Sequence, residues 1–236
     1  MAKKKDAQTE GASVRSALIF EMDTVALGAR QIRFEVLSGI LGEQGIKLEP
    51  IQFSRYCLHP APVLFMPAFL EAMGYDAATP EQVVERLVGE TTSRLMQKTT
   101  VVSQGLVKWM EAAVARGAAI ACASMLPQDS ADAVAAHLGF EQWNVQVFSA
   151  LPSVQDRGFP RAEHWLRMAK QIDRVPTRCL TLVSNHATMK TALAAMMNVV
   201  AITDPYTEYQ DFCGANLVCS DLKEVEPNGF FEEISF

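Results

Sequence analysis

The stretch from Ser16 to Val25, SALIFEMDTV, carries four apolar residues (Ala17, Leu18, Ile19, Phe20) straight into two acids, Glu21 and Asp23, set one residue apart. A short apolar run that stops at paired carboxylates reads as a buried strand delivering side chains to its tip. Working outward, similar runs recur at 118–123, 145–148, 179–183, 199–202 and 217–219. Between them lie helical patterns at 104–116, 130–138, 161–172 and 187–197, the second with Asp129 as its expected N-cap and Gly139 as its stop. Alternation of this kind predicts a parallel α/β sheet with helices on both faces. Such sheets hold ligands at the carboxyl ends of their strands, so residues 21 to 24 are the first candidates for function.

The region after the first strand differs. From Gly28 to about Met96 no strong strand pattern occurs, and helical periodicity appears at 32–41, 53–58 and 67–73. Thr79-Pro80-Glu81-Gln82 opens a fourth helix, with Thr as N-cap and Pro at the first helical position. The expected organisation is a Rossmann-like core over 13–28 and 97–236, an all-helical cap over 29–96 inserted after the first strand, and a polar, disordered tail over 1–12. Placed there, the cap would cover the strand tips.

Composition narrows the function classes. The 236 residues are 49% hydrophobic and 20% charged, enough to bury a sizeable core. A formal net charge of −6 argues against nucleic acid as a partner, which needs a basic face. The run Lys3-Lys4-Lys5 is followed by Asp6-Ala-Gln-Thr-Glu10 rather than by an apolar segment, so it does not read as a signal peptide. No window approaches a membrane span. The five cysteines (Cys57, Cys122, Cys179, Cys213, Cys219) are scattered, with no CxxC pair, and read as reduced, buried thiols of a cytoplasmic protein.

LIFEMDTV, the helical insert, GAAIACASMLPQDSADAVAAHLGF, PRAEHWLRMAKQ and RCLTLVSNHATMKTALAAMMNVVAI resemble, in order and spacing, the successive blocks of the haloacid dehalogenase superfamily. The likeness runs from about Ser16 to Leu222 and is greatest to the helical-cap group of β-phosphoglucomutase-like and phosphoglycolate-phosphatase-like proteins. It implies a site of four parts. An Asp nucleophile ends the first strand, with an acid/base Asp two residues on. A Ser or Thr after the second strand contacts the phosphoryl group. A Lys neutralises nucleophile and phosphate, and acids after the fourth strand hold Mg²⁺.

Position by position, the nucleophile place holds Glu21, the acid/base place Asp23, and the usual Gly is Thr24. Ser124 fits the phosphate contact. Phe159, before Pro160, falls at the lysine position, and Val183 and Ser184 fall where the metal-binding acids belong. Asn185 and His186, in the loop that follows, are further binding candidates, with His186 more readily read as inert. One extra methylene displaces the attacking oxygen by more than an ångström, and a ~1 Å misplacement alone costs on the order of 10²-fold. Loss of a preorganised charge typically costs ~10²–10³-fold, and the two penalties do not multiply. The sequence thus suggests a pocket stripped of charges of both signs, no cofactor, and a fold serving an unknown small molecule or protein partner. The alternative is an atypical Mg²⁺-dependent phosphatase or phosphotransferase using Glu21 and Asp23. Metal-free dehalogenation is the weakest reading, because it too relies on the missing Asp and Lys.

Overall fold

The computed structural model describes residues 15–59, 61–97, 101–149 and 161–236. Six strands form one parallel sheet: β1 (Ala17–Glu21), β2 (Ala119–Ser124), β3 (Gln146–Ser149), β4 (Cys179–Val183), β5 (Asn198–Ile202) and β6 (Leu217–Cys219). Their spatial order is β3-β2-β1-β4-β5-β6, every neighbouring pair being parallel. The order reverses direction at β1, which pairs with β2 on one side and β4 on the other; Phe20 stands level with Cys122 and Leu182. A crevice opens at such a switch point, beyond the carboxyl ends of the strands. Glu21 lies at its edge, still in register with Ala123.

Period-two alternation sorts the sheet into two cores. Leu18, Phe20, Ile120, Cys122, Leu180, Leu182 and Val200 face one side, where α5 (Gln104–Ala115), α6 (Gln128–His137) and α9 (Pro227–Glu233) bring Trp109, Val134 and Phe231. Ala17, Ile19, Ala121, Cys179, Val183 and Val199 face the other, covered by α7 (Ala162–Gln171) and α8 (His186–Ala194) through Trp165, Met168 and Met189. Strands buried on both faces need apolar residues at nearly every position, which is why their runs stand out in the sequence.

Four helices follow β1: α1 (Ala29–Gly42), α2 (Pro50–Tyr56), α3 (Pro62–Met73) and α4 (Pro80–Leu95). They enclose a core of their own from Val36, Leu37, Ile40, Phe53, Phe65, Phe69, Val83 and Leu87. Thr79 caps α4 as expected: its Oγ1 accepts from the N–H of Gln82, and Gln82 Oε1 accepts from the N–H of Thr79. Three starts differ from the sequence reading, the first being α2, which opens at Pro50 rather than at residue 53. Helix α3 opens at Pro62 and runs through Pro67, and α1 opens at Ala29, directly after Gly28 in a left-handed conformation (φ +58°). Helix α6 also begins before the expected cap, leaving Asp129 in its first turn, because Gln128 joins it and bonds Ser149 N–H and the Val147 carbonyl.

The cysteines are all free; Cys57, Cys122 and Cys179 are buried as expected, whereas Cys213 is exposed and Cys219 half-buried. No helix among the described residues is long and apolar enough to cross a membrane. Pro160 and Phe159 lie outside the described residues.

Gly105, at the start of α5, lets the helix approach the backbone after β6. A Cβ there would lie 2.8 Å from both Leu222 Cβ and Lys223 N. Overpacking against a backbone that cannot retreat costs ~1–3 kcal/mol. Gly105→Ala is therefore expected to lower the unfolding free energy by that amount, seen in equilibrium unfolding as a lower urea midpoint at unchanged slope.

Candidate functional site

The chain leaves β1 in a π-helical turn, Met22–Ala26, which folds Asp23 and Thr24 back beside Glu21. This turn sets the two acids to opposite duties. Asp23 points toward β2. Its Oδ1 accepts from Ser124 Oγ at 2.8 Å and its Oδ2 from the Met125 N–H at 2.7 Å. Glu21 points toward β4, where its Oε2 accepts from Thr24 Oγ1 at 2.6 Å, from the Ser184 N–H at 3.1 Å and from the Ser184 hydroxyl. Its other oxygen, Oε1, is buried and has no hydrogen-bond partner among the described residues.

The sequence reading expected a site without charge, and this is corrected: α1 supplies two guanidinium groups. Arg30 is 4% exposed. It donates from Nη1 to Asp204 Oδ2 and from Nη2 to Ser184 Oγ at 2.8 Å. Asp204, in the loop after β5, is itself fixed, since its Oδ1 accepts from the Tyr206 N–H at 2.8 Å. Arg33 sits one helical turn further along α1, with its side chain 12% exposed and its Nη2 4.0 Å from Asp23 Oδ2. It makes no hydrogen bond among the described residues. Residues three apart on a helix share a face, so both cations reach the strand tips together.

These groups surround a cavity of about 40 Å³, lined by Glu21, Asp23, Thr24, Arg30 and Arg33 on its polar side. Leu58, Met125 and Trp165 contribute to its apolar side. Burial dominates the ionisation of the pair within it. It pushes the Asp23 carboxyl above the usual range, against the opposing pull of Arg33 and of the hydrogen bonds from Met125 and Ser124. It also pushes the Arg33 guanidinium down, although arginine stays cationic at neutral pH. Burial raises the Cys57 thiol far above its usual value, which makes this lining cysteine unreactive.

The remaining candidates divide. Thr24 and Asn185 line the cavity, but Asn185 Oδ1 is already engaged as the N-cap of α8, accepting from the Thr188 N–H at 3.0 Å. Ser124 is fully buried, and its hydroxyl proton goes to Asp23 rather than into open space. Val183 belongs to the core beneath the sheet. His186 turns away, its Nδ1 against the Asp211 carbonyl and its N–H donating to Gln210 Oε1. Sequence reasoning missed Arg30, Arg33 and Asp204. The pattern Arg-x-x-Arg at the first turn of a helix that follows a strand tip is the signal that could have found the first two.

Magnesium is the metal that the fold resemblance implies, and the donor set does not suit it. Mg²⁺ takes oxygen ligands in octahedral geometry, usually with one or two carboxylates. Among the described residues no group of three or more His, Cys, Asp or Glu side chains is arranged to hold a metal. At the end of β4 a hydroxyl and a guanidinium take the place of carboxylates, and Glu21 Oε2 is already enclosed by donors.

No protein-family model matches the sequence, and no curated protein matches it. Solved structures do. CbbY from Rhodobacter sphaeroides in complex with phosphate superimposes with a TM-score of 0.73 at 13% identity, over 89% of this chain and 96% of that one. β-Phosphoglucomutase from Clostridium difficile gives 0.72 at 16% identity, over 94% and 97%. A haloacid dehalogenase-like protein from Agrobacterium tumefaciens gives 0.72 at 17% identity, over 94% and 100%. The architecture, an α/β core with a helical cap after the first strand, is thus that of haloacid dehalogenase-like proteins. Likeness at these identities is a likeness of fold.

Two outcomes follow from the charges. The Arg30–Asp204 pair is asymmetric, with side chains 5% and 30% exposed. Asp204→Ala strands a buried cation and is expected to cost ~3–5 kcal/mol in chemical denaturation. Arg30→Met leaves an aspartate that can still reach water and is expected to cost clearly less. For Asp23, a carboxyl raised by folding binds more protons folded than unfolded, so stability falls as pH rises from about 3.9 through the raised value. Asp23→Asn is therefore expected to gain stability relative to the parent as pH rises through that window. Melting curves from pH 3 to 8 check the sign.

Proposed function

We propose that this chain is a non-catalytic member of the haloacid dehalogenase-like hydrolases whose strand-tip pocket binds a small, singly charged anion at Arg33. The observation that carries the reading is the state of Glu21. A nucleophilic carboxylate must present an oxygen in line with the reacting atom, about 3–3.5 Å away. One oxygen of Glu21 accepts three hydrogen bonds, and the other is buried. The first oxygen is held by its donors, so an attack through it would have to break those bonds.

The charge balance favours a monoanion. Arg30 is matched by Asp204, which leaves Arg33 facing Asp23 and Glu21. A dianion would meet two carboxylates and one cation in a poorly screened cavity, and like charges there repel strongly. A monoanion meets the same groups with less repulsion, which burial lessens further by favouring the neutral form of Asp23. A carboxylate or a monoanionic phosphate ester suits the guanidinium fork of Arg33, with its apolar remainder against Trp165, Leu58 and Met125. The formal net charge of −6 argues against nucleic acid, and an enclosed cavity lined by polar and apolar side chains suits a small molecule.

A weak Mg²⁺-dependent phosphatase is the second reading, supported by the phosphate bound in the structurally similar CbbY. The two part on turnover. The purified chain is expected to release no p-nitrophenol from p-nitrophenyl phosphate and no phosphate from sugar phosphates, with or without millimolar Mg²⁺. Glu21→Asp is expected to remain inactive, because shortening one side chain leaves Ser184 and Arg30 in place. Its melting temperature is expected to ignore Mg²⁺, since a native-state ligand must raise it by mass action. Magnesium-dependent turnover lost in Glu21→Ala would overturn the reading.

A further inference from the structure

We infer that the Arg30 guanidinium is a built-in substitute for a divalent cation: it fills the place beside the end of β4 and the tip of β1 that a metal would otherwise take. The inference deepens the non-catalytic reading above but is tested separately from it.

Three observations converge on that place. The first is position. Arg30 Nη2 lies 2.8 Å from Ser184 Oγ, and that hydroxyl in turn donates to Glu21 Oε2, so the guanidinium stands one hydroxyl away from the carboxylate. The second is the ligand shell. Asp204 Oδ2, Ser184 Oγ and, at 3.5 Å, the Ser184 carbonyl all direct oxygens at Arg30. A set of carboxylate, hydroxyl and carbonyl oxygens around one positive charge is what a hard cation collects. The third is fixation. Asp204 Oδ1 also accepts from Thr207 Oγ1 at 3.2 Å, and Arg30 is almost wholly buried, so cation and counter-ion are both held from behind.

The substitution has a chemical consequence. A guanidinium is planar, permanently charged and has no open coordination position. It can offset the charge of Asp204 and orient Ser184. It can hydrogen-bond a water or a phosphoryl oxygen, but it cannot coordinate and activate either as a metal does. The pocket is therefore charged at all times and indifferent to divalent ions. A purely mechanical tether between α1 and the sheet would make a different prediction, because removing it would loosen the helix without creating affinity for a metal.

The experiment is a Mn²⁺ titration followed by the electron paramagnetic resonance signal of the free ion. The parent chain and Arg30→Lys are expected to leave the signal undiminished at millimolar Mn²⁺. Removing the guanidinium and restoring a carboxylate, in Arg30→Met/Ser184→Asp, would bring Asp204, Glu21 and the new side chain together around an uncharged space. That variant is expected to take up about one Mn²⁺ per chain and to lose the uptake when Glu21→Gln is added. Uptake by the parent chain overturns the inference. So does a double variant that binds no Mn²⁺ while its near-ultraviolet circular dichroism is native. Should the double variant fail to fold, Arg30→Ala decides by thermal shift: a melting temperature that rises with Mn²⁺ in the variant alone supports substitution, and no rise overturns it. Metal-free hydrolysis by the parent chain would end the non-catalytic reading and leave this result standing.

Discussion

A guanidinium buried between a helical cap and the tips of a parallel sheet must have partners, and the partners of Arg30 organise everything around it. Leaving such a charge unpaired costs several kcal/mol, so Asp204 and Ser184 are constrained in position as well as in chemistry. Because Ser184 Oγ accepts from Arg30, its proton is free to go to Glu21. Because Glu21 is thereby drawn toward β4, the π-helical turn leaves Asp23 to face β2 and Arg33. The separate orientations of the two acids are thus one consequence of where a single cation sits.

The same contact fixes how the cap meets the core. Helix α1 enters from Gly28, and Arg30 pins its first turn to β4 and to the loop after β5. That loop reaches back: Tyr206 packs with Phe34 and Phe53 inside the helical core, and its hydroxyl donates to Gln31 Oε1 at 2.7 Å. Tyr209 adds a bond to the Ser54 carbonyl at 3.1 Å. Polar and aromatic contacts therefore alternate along one seam, and the cavity lies behind it. Arg33 is held in a place where water is scarce and its charge acts strongly.

How much of this could be read from the chain follows from how local each feature is. The strands were legible because both faces of the sheet are buried and the runs are continuous; 179–183 and 217–219 have the same limits in sequence and structure. Strand β1 runs one residue further than its apolar pattern, since Glu21 keeps its backbone register with Ala123 after its side chain has turned polar. The start of α1 was hidden because Arg30 and Arg33 look like a solvated face until the sheet tips are brought beneath them. Glu21, Thr24 and Ser184 were each visible as departures from a pattern, yet their union into one hydrogen-bonded group was not. Arg30 and Asp204 lie 174 residues apart, and nothing short-range in either segment announces the other.

The replacements make physical sense as a set. Thr24 and Ser184 supply hydroxyls to Glu21, donors that a glycine or an ionised acid in their places would not supply. Hydroxyls, however, carry only partial positive charge. They satisfy a resting carboxylate but cannot offset the charge that builds on a transferring phosphoryl group. Arg30, which among the described residues is the full cation within a hydroxyl of Glu21, is already matched by Asp204. Charge at the end of β4 is supplied by a cap helix and a distant loop, and it is fixed there. A fixed, internally matched charge can recognise a ligand, and because Asp204 already offsets Arg30, less of that charge is left for a second anion.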